Sequence, residues 1–249
     1  YRHYPYDERI EIANESWQFA NYDYAGKLEP SNKHCYFPSG FNPGWIYELI
    51  YTGQKPSVLG LGFLAVRDFL SFLRNGTSDE NMQPNPVVEG ETRTEKVYGW
   101  GISQSGRYLR EFIYSGYNQG PNIQRVFDAV WPHVAGAGRI WLNGRFAQPG
   151  RYPCQQTDHT YPSDQFPFAY STTTDHLTGI ADGIMKRPES DPLLFHTQTS
   201  AEYWERRGSL AHTTTSGHDL AAPDNVRIYL YTGAQHSNQP HYPPELGPH

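Results

Sequence analysis

The run Gly101-Ile-Ser103-Gln-Ser105 sets small residues two positions either side of a serine, between an apolar segment and one of helical spacing. A tight strand-to-helix turn of this kind is a nucleophile elbow, and only small flanking residues escape collision in it. It would hold the Ser103 hydroxyl above a sheet. The backbone N–H of Gln104, at the start of the following helix, would then face a developing oxyanion, where one such donor is worth roughly 3–4 kcal/mol. Ser105 is the alternative nucleophile.

A serine hydroxyl needs a base, and in a scaffold of this kind the histidine follows the last strand, later in the chain than both serine and acid. His236 fits that order, because it follows the β-branched run 226–231 and Gly233 can end that strand. The chain holds 11 histidines, and an ordinary surface histidine is the competing reading for any one of them. Order and location favour His236. The acid belongs just after the preceding strand, which points to Glu202 in Thr199-Ser-Ala-Glu202, ahead of Asp219 and, further behind, Asp175 and Asp182. The same four residues also read as a helix capping box.

Two further features bear on binding. Arg107, one turn past Ser103, is a candidate to bind a substrate carboxylate through its planar fork, with a structural salt bridge as the equal alternative. Asp175 and Asp182 bracket a glycine-containing loop but do not follow the EF-hand pattern, so no metal is expected. Nor does the chemistry require a cofactor.

The elements that must position these groups follow from periodicity. Strands are predicted over 45–51, 96–102, 125–131, 193–197 and 226–231, from short β-branched and aromatic runs bounded by turn residues. Helices are predicted over 58–74, where Leu61, Leu64, Ala65, Phe69, Phe72 and Leu73 share a face, and through Tyr108, Leu109, Phe112 and Ile113. Alternating strands and helices imply an α/β fold: a mostly parallel sheet with helices on both faces. From about 139 to 192 the chain is rich in Pro, Thr, Asp and aromatics with little period, and reads as a lid-like insertion. Its Trp141, Phe146, Tyr152, Tyr161, Phe166, Phe168 and Tyr170 would either wall a pocket for an aromatic, sugar or polymer ester or simply pack the lid.

Size and charge set the outer bounds. The 249 residues suit one domain over 1–249, and 20 basic against 26 acidic side chains, with no basic cluster, argue against a nucleic-acid partner. No run of eighteen apolar residues exists to span a membrane. Cys35 and Cys154 are the only cysteines and would pair in an oxidising compartment. Asn14-Glu-Ser16 and Asn75-Gly-Thr77 are glycosylation triplets, and low charge with many Tyr and Gly fits a secreted or extracytoplasmic protein. A start at Tyr1 and a Pro-rich end at His249 suggest a processed or incomplete chain.

Four blocks together resemble a little-characterised α/β-hydrolase family. They are Phe41-Asn-Pro-Gly-Trp-Ile-Tyr-Glu-Leu49, Gly60-Leu-Gly-Phe-Leu-Ala-Val-Arg-Asp68, Gly101-Ile-Ser-Gln-Ser-Gly-Arg107 with Gly116-Tyr-Asn118, and Ser200-Ala-Glu-Tyr-Trp204 through Thr232-Gly-Ala-Gln-His236. The resemblance implies an esterase-like serine enzyme, and members that continue past the histidine block. The expected substrate is a small-molecule or polymer ester. A second oxyanion donor is expected after the 45–51 strand, near Gly53. The rival from another class is a non-catalytic binding module on the same scaffold.

Overall fold

The structure is a computed structural model that describes residues 1–4, 7–52, 54–90, 92–121, 123–140, 142 and 166–237. The chain divides into two compact units, Tyr1–Lys55 and Pro56–His249. Ser103, Gln104, Arg107, Glu202 and His236 all lie in the second.

In the first unit, β1 (Ala20–Tyr22) and β2 (Leu28–Pro30) form an antiparallel hairpin, with Ala20 opposite Pro30. Asp23 holds its turn, accepting the N–H groups of Ala25 and Lys27 at 2.9 and 2.8 Å. The strand expected over 45–51 is not formed. Ile46 makes an isolated antiparallel bridge to Arg2, Trp45 stacks on Tyr1 with ring centroids 4.9 Å apart, and Glu48 takes both Arg2 and Arg9. The aromatic and charged side chains that resemble strand composition are satisfied by the first ten residues instead.

The second unit is built on a four-stranded parallel sheet of β3 (Tyr98–Ile102), β4 (Ala129–His133), β7 (Leu193–Thr199) and β8 (Val226–Tyr231), in that spatial order. Each consecutive pair is joined by a crossover. Helix α2 (Gln104–Tyr114) lies in the first crossover and α3 (Ser200–Glu205) in the last. Within the middle crossover, β5 (Thr173–Thr174) and β6 (Ala181–Asp182) make a short antiparallel pair.

Strand β4 begins later than its sequence suggests, because 125–128 is bonded elsewhere. Val126 N–H goes to Asn118 O and Phe127 N–H to Asn118 Oδ1, while the Asp128 carboxylate takes Val97 N–H and Arg74.

Along β3 the residues alternate buried and exposed, and the two buried positions are Gly99 and Gly101. A Cβ on Gly99 would stand 3.1 Å from Phe127 and 3.2 Å from Leu109, so the missing side chain lets α2 lie close on the strand. Leu109, Phe112 and Ile113 of α2 then meet Val126, Phe127, Val130, Leu194 and Val226 in the core. Helix α1 (Leu61–Asn75) joins this layer through Phe63, fully buried and stacked on Tyr108 and Tyr117 at 4.7 and 5.2 Å. On the opposite face Trp100, Trp131, Phe195 and Tyr229 stay exposed, so helical cover is described on one face.

The described part of the insertion packs inward. Phe168 and Tyr170 are buried and Phe166 lies against them, so these three build core rather than a pocket wall. Trp141, Phe146, Tyr152 and Tyr161 lie outside the described residues, as does Cys154; Cys35 is exposed. No helix among the described residues is long and apolar enough to cross a membrane.

Candidate active site

Ser103 is the single residue between β3 and α2, and its backbone sits at φ 55°, ψ −112°. A non-glycine residue pays of order 1–3 kcal/mol for such a conformation, and it persists only where surrounding contacts enforce it. Those contacts are visible. Ser103 N–H donates to His133 O on the neighbouring strand at 2.8 Å, and Ser103 O accepts from Arg107 N–H at 3.0 Å as the first helical bond.

Two glycines clear the space. A Cβ on Gly101 would lie 2.4 Å from Ser105 O, and one on Gly106 would lie 2.9 Å from Ala135 Cβ and 3.0 Å from Gly101 O. Gly101 was expected in this role; Gly106, rather than Ser105, is the second tight position. Ser105 is exposed. Gln104 opens α2, whose first amides have no intrahelical acceptor and carry the positive end of the helix dipole.

The candidate acid and the candidate base are brought together. Glu202 is fully buried, and its Oε1 pairs with Nδ1 of His236. Its Oε2 accepts Thr199 N–H at 2.9 Å and also the Thr199 hydroxyl. The capping box and the acid are therefore one arrangement. One carboxylate oxygen closes the start of α3 while the other addresses the imidazole. His236 reaches it because the turn after β8 is anchored, with Gly233 at φ 74° donating its N–H to Ser200 Oγ at 2.8 Å.

The other candidate acids are placed elsewhere. Asp219 is exposed and bridges Thr213 through its backbone. Asp175 binds the Thr178 amide and hydroxyl, and Asp182 binds Tyr114, Lys186 and the Gly183 amide. No hydrogen bond joins Ser103 Oγ to His236 among the described residues. Arg107 is buried at 6 % exposure and engaged within the protein, not offered at an open surface. Gly53, expected beside a second oxyanion donor, lies outside the described residues.

His133 was missed by sequence reasoning. It ends β4, opposite Ile102 on one side and Thr197 on the other. Its Nδ1 is 2.7 Å from Thr197 Oγ1, which also accepts Trp131 Nε1–H at 2.7 Å. Burial holds the His133 imidazole below its ordinary pKa; the Glu202 carboxylate acts upward and His236 downward. Its one sequence signal was its place at a strand's carboxyl end, where parallel sheets gather their chemistry.

A family model described as an alpha/beta hydrolase domain matches residues 33–247. The chain belongs to this α/β-hydrolase family. No curated protein and no solved structure shows a significant match to it. Along the chain, the Ser103 turn follows β3, Glu202 follows β7 and His236 follows β8, the last strand among the described residues.

Proposed function

We propose that this α/β hydrolase is a serine esterase whose nucleophile is Ser103, with His236 as general base and Glu202 as the acid that orients it. The observation that carries the reading is the pairing of the buried Glu202 carboxylate with the partly exposed His236 imidazole, at the same strand ends as a serine held in a strained turn. His236 Nδ1–H donates to Glu202 Oε1, which leaves Nε2 as the acceptor for the Ser103 proton. Ser103 Oγ attacks the ester carbonyl, and Gln104 N–H with the amino end of α2 stabilises the oxyanion. The leaving alcohol takes the proton back from His236. Water, activated by the same imidazole, then releases the acid from the acyl-enzyme.

The capping box adds a physical advantage to the acid. Because Thr199 occupies Oε2, the carboxylate cannot rotate away from His236, so the imidazole orientation is set before substrate arrives.

A fluorophosphonate probe tests the reading, since an activated serine is labelled and a decorative one is not. Labelling lost in Ser103→Ala supports it. An unlabelled, folded wild-type protein that still binds an ester would favour the non-catalytic binding module.

A further inference from the structure

His133 touches both halves of the proposed site, and nothing in the Ser103–His236–Glu202 mechanism uses it. Its main-chain oxygen accepts the Ser103 amide at 2.8 Å and so holds the nucleophile turn. Its ring is bonded to Thr197, which precedes the Glu202-binding Thr199 by two residues on β7. The backbone repeats the link one residue on, where Val134 N–H donates to Thr197 O at 2.8 Å.

The direction of the side-chain hydrogen bond can be reasoned out. Thr197 is fully buried, and its oxygen already accepts from Trp131 Nε1–H, a group that can only donate. Its own O–H has no acceptor other than His133 Nδ1 among the described residues. A buried hydroxyl proton left without an acceptor is costly, so Thr197 donates and Nδ1 accepts. That fixes the tautomer with the proton on Nε2.

Resting on the serine-esterase reading, we propose that His133 is a positioning residue of the site, which ties the Ser103 turn to the Glu202 strand through Thr197 and works only as the neutral imidazole. Protonation at Nδ1 would turn it into a donor to Thr197 Oγ1, leave the buried Thr197 hydroxyl proton without an acceptor, and place a cation beside the base. The charged and titratable groups around it are Glu202 of α3, His236 after β8 and His196 of β7. A cation there opposes the imidazolium that His236 must become in the transition state. Two histidines must then be neutral for turnover, and both protonations shape the acid side of the rate profile.

The experiment measures p-nitrophenyl acetate hydrolysis per fluorophosphonate-titrated site, from pH 4 to 8, in wild type, His133→Asn and His133→Ala, with a melting temperature for each. Asn presents Oδ1 near the Nδ1 position and accepts from Thr197 without titrating. The expected result is a wild-type log(kcat/KM) that falls with a limiting slope of about 2 at low pH, and a slope of about 1 in both variants. At pH 8 His133→Asn should stay within about threefold of wild type, while His133→Ala should lose at least about tenfold in kcat.

If His133→Ala merely lowers the melting temperature, with kcat and slope as in wild type, His133 is structural only and the inference is overturned. A wild-type slope of 1 overturns it too. If the wild type shows no Ser103-dependent hydrolysis, the esterase reading itself fails, a result distinct from either of these.

Discussion

The two ends of the parallel sheet are built on opposite terms. At the carboxyl end, Ser103 is held at positive φ, a buried carboxylate faces a partly exposed imidazole, and a Cβ added at Gly101 or Gly106 would stand under 3 Å from its neighbours. At the amino end, groups are placed for satisfaction. Asn85 donates from one amide to Phe72 O, Leu73 O and Gly76 O at 2.9–3.0 Å, closing the end of α1, and its Oδ1 accepts Val87 N–H. Asp128 binds Arg74 and the Val97 amide, joining α1 to the start of the sheet. One end holds a strained, tightly packed turn, and the other satisfies the chain's polar groups.

The contrast is sharpest at Ser103. Ser103→Ala should remove ester hydrolysis by about a million-fold, as loss of such a nucleophile does elsewhere, with an unchanged or slightly raised melting temperature. A variant retaining more than a tenth of wild-type turnover would move the nucleophile, with Ser105 the next to replace.

Glu202 is where the two kinds of role meet in one side chain. Glu202→Gln should cost about ten-thousand-fold in turnover, the usual loss when a triad acid becomes an amide. It should also lower stability by about 1 kcal/mol, because the amide is the weaker cap. Asp219→Asn should leave both within about twofold and a degree. Turnover lost in Asp219→Asn and kept in Glu202→Gln would reassign the acid.

At the amino end the expected effects are on stability alone. Asn85→Ala removes the side-chain donor shared by Phe72 O, Leu73 O and Gly76 O, of which Phe72 O keeps the Gly76 amide, and should cost about 1–3 kcal/mol, read as a lower melting temperature at undiminished turnover per folded molecule. A drop in turnover matching that of Glu202→Gln would show that the ends are not separable.

The smallest effect is in pH. Burial pushes the Asp128 carboxyl up, but the Val97 amide and Arg74 outweigh it and hold it below its ordinary value. A group depressed in the folded state stabilises above its unfolded pKa, and that stability is lost as pH falls through the folded value. Between pH 7 and 3 the wild-type melting temperature should therefore fall more steeply than that of Asp128→Asn. Parallel curves would remove Asp128 from the account.

Much of the carboxyl end was legible in residue order. The elbow, its helix and the last two strands, 226–231 to the residue, follow from apolar periodicity and turn residues, which act locally. Strand 45–51 was misread because composition does not say what a strand pairs with; Trp45 and Glu48 have partners among the first ten residues. Composition also does not separate pocket wall from core for Phe168 and Tyr170, since an aromatic residue in a Pro-rich stretch looks alike in core and lid.

By itself, then, the sequence determined the strand–elbow–helix unit and the order serine, carboxylate, histidine, since both rest on spacing along one stretch of chain. Only the tertiary structure set Glu202 rather than Asp219 against His236, made Gly106 the second tight position, and put His133 between the Ser103 turn and Thr197. Those outcomes depend on which strand lies beside which. Register across β3, β4 and β7 is set by the packing of α1 and α2 on one shared core, a long-range condition that no local pattern encodes.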